Sequence, residues 1–129
     1  MQLFKQLKGA VDGELVAFHA YMENGKCFQS HEIIVFDHII TNTVAAYDNS
    51  DGIFTAPTTG IYVFIWNFSS STSSLNVMEL VVHGVVVGAS MSDSEHSTDY
   101  HPAAGFAIIH VNAGERVFVR KTRQAGHSC

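Results

Sequence analysis

The stretch from Phe36 to Trp66 reads FDHIITNTVAAYDNSDGIFTAPTTGIYVFIW, and it sets Phe36, Asn42, Tyr47, Phe54, Gly60, Tyr62, Phe64 and Trp66 at fixed short intervals. At its end, Tyr62, Phe64 and Trp66 alternate with Ile61, Val63 and Ile65. Successive side chains of a strand point to opposite faces, so this run has one aromatic face and one aliphatic face. A strand in a two-layer sandwich meets the core on one side and water on the other; a strand apolar on both sides needs a second cover. The aromatic face is expected in the sandwich core, and the Ile61, Val63, Ile65 face against another copy of the chain. The apolar run Ile33 to Phe36 is expected to need the same cover. Asn42 suits a strand end or turn through side-chain bonds to backbone, and Gly60, after Pro57-Thr58-Thr59, suits a close approach or a positive φ.

Outward from this stretch the pattern stays β. Short runs rich in Val, Ile, Phe and Tyr are separated by turn chemistry at Glu23-Asn24-Gly25, Asp48 to Gly52, His83-Gly84 and Asn112-Ala113-Gly114. Strands are predicted at 16–22, 33–41, 44–47, 52–56, 60–69, 75–83, 85–91, 101–111 and 115–123. Short strands at regular spacing with no helical period between them imply an all-β sandwich or barrel. Residues 1–14 read differently, with Leu3, Phe4, Leu7 and Val11 at helical spacing interrupted by Gly9 and Gly13. A leader, as a short helix or disordered, is expected there, followed by a globular domain over 15–129.

The chain has 129 residues, 47% hydrophobic and 15% charged, with a formal net charge of −5. That length buries a core without staples, and the low charge leaves a surface suited to other subunits or to neutral ligands such as glycans. The acidic balance argues against a nucleic-acid binder, because phosphate affinity rests on clustered Lys and Arg. Arg116, Arg120, Lys121 and Arg123 nevertheless lie close together, which reads either as a solvated strand or as a local anion-binding surface. No apolar run reaches the roughly eighteen residues of a membrane span. Residues 1–8 lack the apolar centre of a secretory signal. Cys27 and Cys129 leave open both a single bridge and two free thiols. Asn67-Phe68-Ser69 is a glycosylation sequon abutting an apolar strand.

The motifs that would carry catalysis are incomplete. The eight histidines include no pair separated by one residue and followed by an acid, the pattern of a metal-binding jelly roll. His31-Glu32 begins like a zinc-protease helix but has no second His, and the Ile and Val after it prefer strand. Gly88-Ala89-Ser90-Met91-Ser92 lacks the final Gly of a nucleophile elbow. No catalytic metal, no cofactor and no enzyme activity are expected. The most polar segment is Ser92 to Tyr100, where Asp93, Glu95, His96, Asp99 and Tyr100 combine carboxylates, a stacking face and hydroxyl neighbours suited to sugar hydroxyls or to calcium.

The intervals from Phe36 to Trp66 resemble the signature of the globular head domain of complement C1q, in the C1q and tumour necrosis factor superfamily; the last position of that signature is Phe or Tyr, and here it is Trp66. The resemblance extends to Val16-Ala17-Phe18 as the first strand, Phe54-Thr55-Ala56-Pro57 as the third, and Gly114 to Val119 near the end. It implies a jelly-roll sandwich of about ten strands that assembles as a homotrimer. The family's last strand, an aromatic, one residue, then Gly, pairs near the first strand. This chain ends Gly126-His127-Ser128-Cys129 instead, and a shortened chain, a rearranged edge or replacement by residues 1–14 each accounts for it.

The chain is most similar to the secreted, stalkless C1q-domain proteins of bivalve type. That likeness implies innate-immune, lectin-like recognition of microbial carbohydrate or lipopolysaccharide, with Asp93, Glu95, His96, Asp99, Tyr100, Arg120, Lys121 and Arg123 as contacts. The alternative it implies is a signalling or adhesion ligand for a protein receptor. Several family members bind calcium near the trimer apex through acidic residues, one of which falls at His83 or Gly84 here, a departure from that pattern.

Overall fold

The computed structural model describes residues 3–8, 15–70, 75–93 and 101–122. Ten strands are described: β1 (Leu3–Lys8), β2 (Val16–Tyr21), β3 (His38–Asn42), β4 (Tyr47–Asp48), β5 (Ile53–Thr55), β6 (Gly60–Ser70), β7 (Leu75–Val82), β8 (Val85–Asp93), β9 (His101–Val111) and β10 (Arg116–Lys121). They form two five-stranded antiparallel sheets. The first has the order β3-β2-β1-β6-β9 and the second β4-β5-β10-β7-β8. The strands predicted from turn spacing fall within a residue or two of β2, β5 to β8 and β10, and coincide with β9.

The helix or disordered leader expected over 1–14 is corrected by β1. This segment lies between β2 and β6, with Leu3↔Tyr21 to Lys8↔Val16 on one side and Leu3↔Asn67 to Leu7↔Val63 on the other. The reason is tertiary. Without β1, β2 and β6 would face each other across an empty strand position, and their N–H and C=O groups would lack partners. Six residues make far more hydrogen bonds in that slot than in a helix too short to nucleate. β1 thus stands beside β2, the strand that the resemblance sets as the family's first.

The predicted strand 33–41 is split between the sheets. His31 N–H donates to the Lys121 carbonyl at 2.8 Å and Ile34 N–H to that of Val119 at 2.8 Å, so this segment runs beside β10. The chain then crosses to the first sheet as β3. Ile34 and Phe36 enter the core. Ile33 and Val35 are half-buried, and the Asp48 to Gly52 turn comes close to them: a Cβ on Gly52, whose φ is +79°, would lie 2.7 Å from the Ile34 oxygen and 3.2 Å from Ile33 Cγ2. The strand expected at 44–47 is a single 3-10 turn, Thr43–Ala45, before β4. Gly60 opens β6 opposite Val111, and positive φ falls at Gly52, Gly84 and Gly114 instead.

The core is a chain of aromatic rings between the sheets. Phe18 of β2 stacks on Tyr47 of β4 at 4.5 Å between centroids and on Phe54 of β5 at 5.2 Å. Phe54 meets Tyr62 and Phe64 of β6 edge-on at 5.6 and 5.8 Å. Each such pair adds about 1 kcal/mol beyond area burial. Buried hydroxyls are satisfied locally: Tyr47 accepts from the Phe36 N–H at 3.0 Å and Tyr62 donates to the Thr58 carbonyl at 2.6 Å. Burial pushes the Tyr47 phenol well above its ordinary pKa.

Asn42 holds Tyr47 as a strand neighbour would. Its Nδ2 donates to the Tyr47 carbonyl at 2.8 Å, and its Oδ1 accepts from the Tyr47 N–H at 3.2 Å. Asn42→Ala is therefore expected to lose about 2 kcal/mol in urea unfolding, and Asn42→Asp, which keeps the acceptor, about half of that. An unchanged midpoint for both would show that the amide clamp is dispensable.

Candidate functional site

The alternation along β10 decides which of its cations reach solvent. Val117, Val119 and Lys121 point inward, and Arg116, Phe118 and Arg120 outward. Lys121 is 1% exposed, and its ammonium donates to the Phe28 carbonyl at 2.8 Å. Burial holds its pKa below the ordinary lysine value, with Glu32 opposing. Arg120 is half-buried and its Nε meets Glu79 Oε1 at 2.5 Å. Arg120 and Lys121, both expected as ligand contacts, thus each engage a partner inside the chain. Arg123, Glu95, His96, Asp99 and Tyr100 lie outside the described residues, and Asp93 ends β8 opposite Leu75.

Arg116 behaves differently. It is exposed and has no ion-pair partner among the described residues. It lines two concavities, each of about 420 Å³. In the first it faces Asp48 and Asp51, with Ile53, Thr55, Pro57 and the turn at Val44 to Ala46 forming the walls. In the second it meets Phe118, His83, Gly84 and Gly114. Asp48 Oδ1 accepts from the Ser50 N–H and hydroxyl at 2.8 and 2.6 Å, which holds its pKa below the ordinary range. Asp51 Oδ1 accepts from the Ile53 N–H at 3.0 Å. The sequence shows Asp48 and Asp51 as turn residues and Arg116 as one of a basic cluster. Their meeting depends on β10 pairing with β5, through Arg116↔Thr55, which local patterning does not reveal.

A second surface lies on the opposite side of the molecule. On β6, Tyr62, Phe64, Trp66 and Phe68 are at most 3% exposed, whereas Ile61 is 55% exposed and Ile65 36%. On neighbouring β9, Phe106 and Ile108 are each 61% exposed, and the register sets them beside Ile65 and Val63. Five large apolar side chains thus form one contiguous outward patch of the first sheet.

The turn between β7 and β8 holds His83 and Gly84, the place at which the resemblance led to the expectation of a departure from a calcium-ligating acid. His83 and Gly84 have φ of 49° and 79°, the left-handed pair of a two-residue hairpin. Among the described residues no three His, Cys, Asp or Glu side chains converge. Cys27 is disulfide-bonded; the sequence holds one other cysteine, Cys129, outside the described residues.

The family model for the C1q domain matches residues 17–128. Caprin-2 of Danio rerio is 29% identical over 92 residues, which are 71% of this chain but 10% of Caprin-2, so the chain spans about a tenth of that relative's length. Among solved structures, the globular domain of zebrafish complement 1qA protein superposes with a TM-score of 0.67 at 15% identity, covering 95% of this chain and 85% of that one. That likeness is one of fold.

Proposed function

The chain belongs to the C1q domain family, and from that premise we propose that it is a non-catalytic recognition module that works as a homotrimer. The observation that carries the assembly is the patch of Ile61, Val63, Ile65, Phe106 and Ile108 on a sheet whose other face already forms the core. An apolar patch of this kind in water favours a second surface of the same kind. Native mass measurement should return three times the 14.1 kDa chain mass. Ile108→Glu, at an exposed position that leaves the core untouched, should shift that mass to the monomer while keeping the unfolding midpoint of the isolated chain. A wild-type protein that stays monomeric at high concentration contradicts this reading.

The ligands proposed are microbial carbohydrate or lipopolysaccharide, in lectin-like innate-immune recognition by a secreted protein. The Cys27 disulfide supports an oxidising, extracellular setting. Asp93, Glu95, His96, Asp99, Tyr100 and Arg123 are retained as proposed contacts, and calcium as an ion they could recruit. A glycan array tests the ligand class. A protein receptor is the second reading, favoured by exposed Val85, Val86 and Met91 on β8. It predicts capture of a single protein partner with no response to glycans.

A further inference from the structure

Arg116 stands on the ridge between two concavities of similar size, and the groups on its two sides are complementary in kind. One side offers the carboxylates of Asp48 and Asp51 and the Thr55 hydroxyl. Each carboxylate uses Oδ1 on its own turn, while its Oδ2 has no hydrogen bond among the described residues. The other side offers the half-buried ring of Phe118, two residues along the same strand face and so about 7 Å from Arg116. Resting on the carbohydrate-binding reading above, we propose that these two concavities are the halves of one groove that binds a neutral oligosaccharide.

The chemistry fits that class. Sugar hydroxyls donate to carboxylate oxygens and accept from a guanidinium, and the C–H face of a pyranose lies against an aromatic ring. Each concavity falls within the usual size of small-ligand clefts; the first is lined mainly by polar surface and the second mainly by apolar surface. Two carboxylates face one guanidinium, so a phosphate-rich or sulfated polymer meets net repulsion there. With Arg120 and Lys121 both engaged inside the chain, β10 offers no basic stripe to offset it. The groove belongs to the outer side of the second sheet, away from the apolar patch of the first. Assembly through that patch leaves three grooves open, and repeated sugars then bind with avidity that a single groove lacks.

The test compares wild type with Arg116→Ala and with the double variant Asp48→Asn, Asp51→Asn. The Asn side chains keep the Oδ1 acceptors of the turns. The probes are yeast mannan as a neutral polymer and heparin as a polyanion. Wild type is expected to bind mannan with little dependence on salt and not to bind heparin, and both variants should weaken mannan binding by about tenfold or more at unchanged melting temperature. A control with Glu23→Gln, an exposed carboxylate outside both concavities, should bind mannan as wild type does. Mannan binding that the groove variants leave intact overturns the groove and leaves carbohydrate recognition standing. A preference for heparin that falls steeply with salt overturns the neutral specificity. A wild-type protein that binds no glycan on an array overturns both the groove and the reading beneath it.

Discussion

Removal of residues 1–8 is expected to abolish the sandwich. β1 lies in the middle of the first sheet, with six residue pairs to β2 and five to β6. A net contribution near 1 kcal/mol per lost hydrogen bond, with more wherever the abandoned group stays buried, gives a total of at least about 5 kcal/mol, comparable to the whole stability of a domain this size. The exposed flanks of β2 and β6 would also be two unpaired strand edges, which promote aggregation. The expected result is an insoluble or unfolded product on expression of residues 9–129, and recovery of soluble, cooperatively unfolding protein when a synthetic peptide of residues 1–8 is supplied during refolding. A truncated chain with the same urea midpoint as the intact one would show that the slot closes without β1.

Gly105→Ala should be the most damaging single substitution of a small residue. Gly105 is the register partner of Trp66, and a Cβ placed there would lie 2.0 Å from Trp66 Cε2 and 2.1 Å from Cζ2. The indole cannot yield. On its other side a Cβ on Gly88 would already approach Cη2 at 3.1 Å, and Nε1 donates to Ser90 Oγ at 2.9 Å. Forcing the ring out of its slot costs overpacking energy together with that hydrogen bond, about 3 kcal/mol or more. Trp66 is the single tryptophan, so its fluorescence reports the displacement directly as a red shift with loss of stability. The Trp66→Phe change should suppress part of the damage of Gly105→Ala, because a smaller ring leaves room for the methyl group. If the two changes prove additive in a double-mutant cycle, the ring and the glycine are not coupled in this way.

The aromatic spacing from Phe36 to Trp66 was readable because each position has a local consequence: Tyr62, Phe64 and Trp66 alternate inward on any strand. The occupancy of Trp66 where the family signature has Phe or Tyr was not explicable from that spacing. Its cause is Gly105 across the ladder and Gly88 on the other sheet, which only register discloses. β1 was misread because Leu3, Phe4 and Leu7 satisfy a helical period as well as six residues can, and the slot that makes them a strand is built by residues far along the chain. Lys121 is the opposite case. Its parity with Val117 and Val119 already placed it inward, but reading it together with its charged neighbours as a basic cluster hid that parity. Arg116 lies more than sixty residues from Asp48 and Asp51, and nothing short of the β5 to β10 pairing joins them.

The placement of β1 and β10 also bears on how the chain reaches its native state. Each sheet has as its middle strand the first or the last of the ten described strands, β1 in one and β10 in the other. During synthesis β1 can meet β2 early, as a local hairpin, but it waits for β6 some sixty residues on. The second sheet stays in two pieces, β4-β5 and β7-β8, until β10 leaves the ribosome. Neither layer can be completed piecemeal. Folding is therefore expected to be a late, single cooperative step dominated by long-range contacts, and slow for a chain of this length.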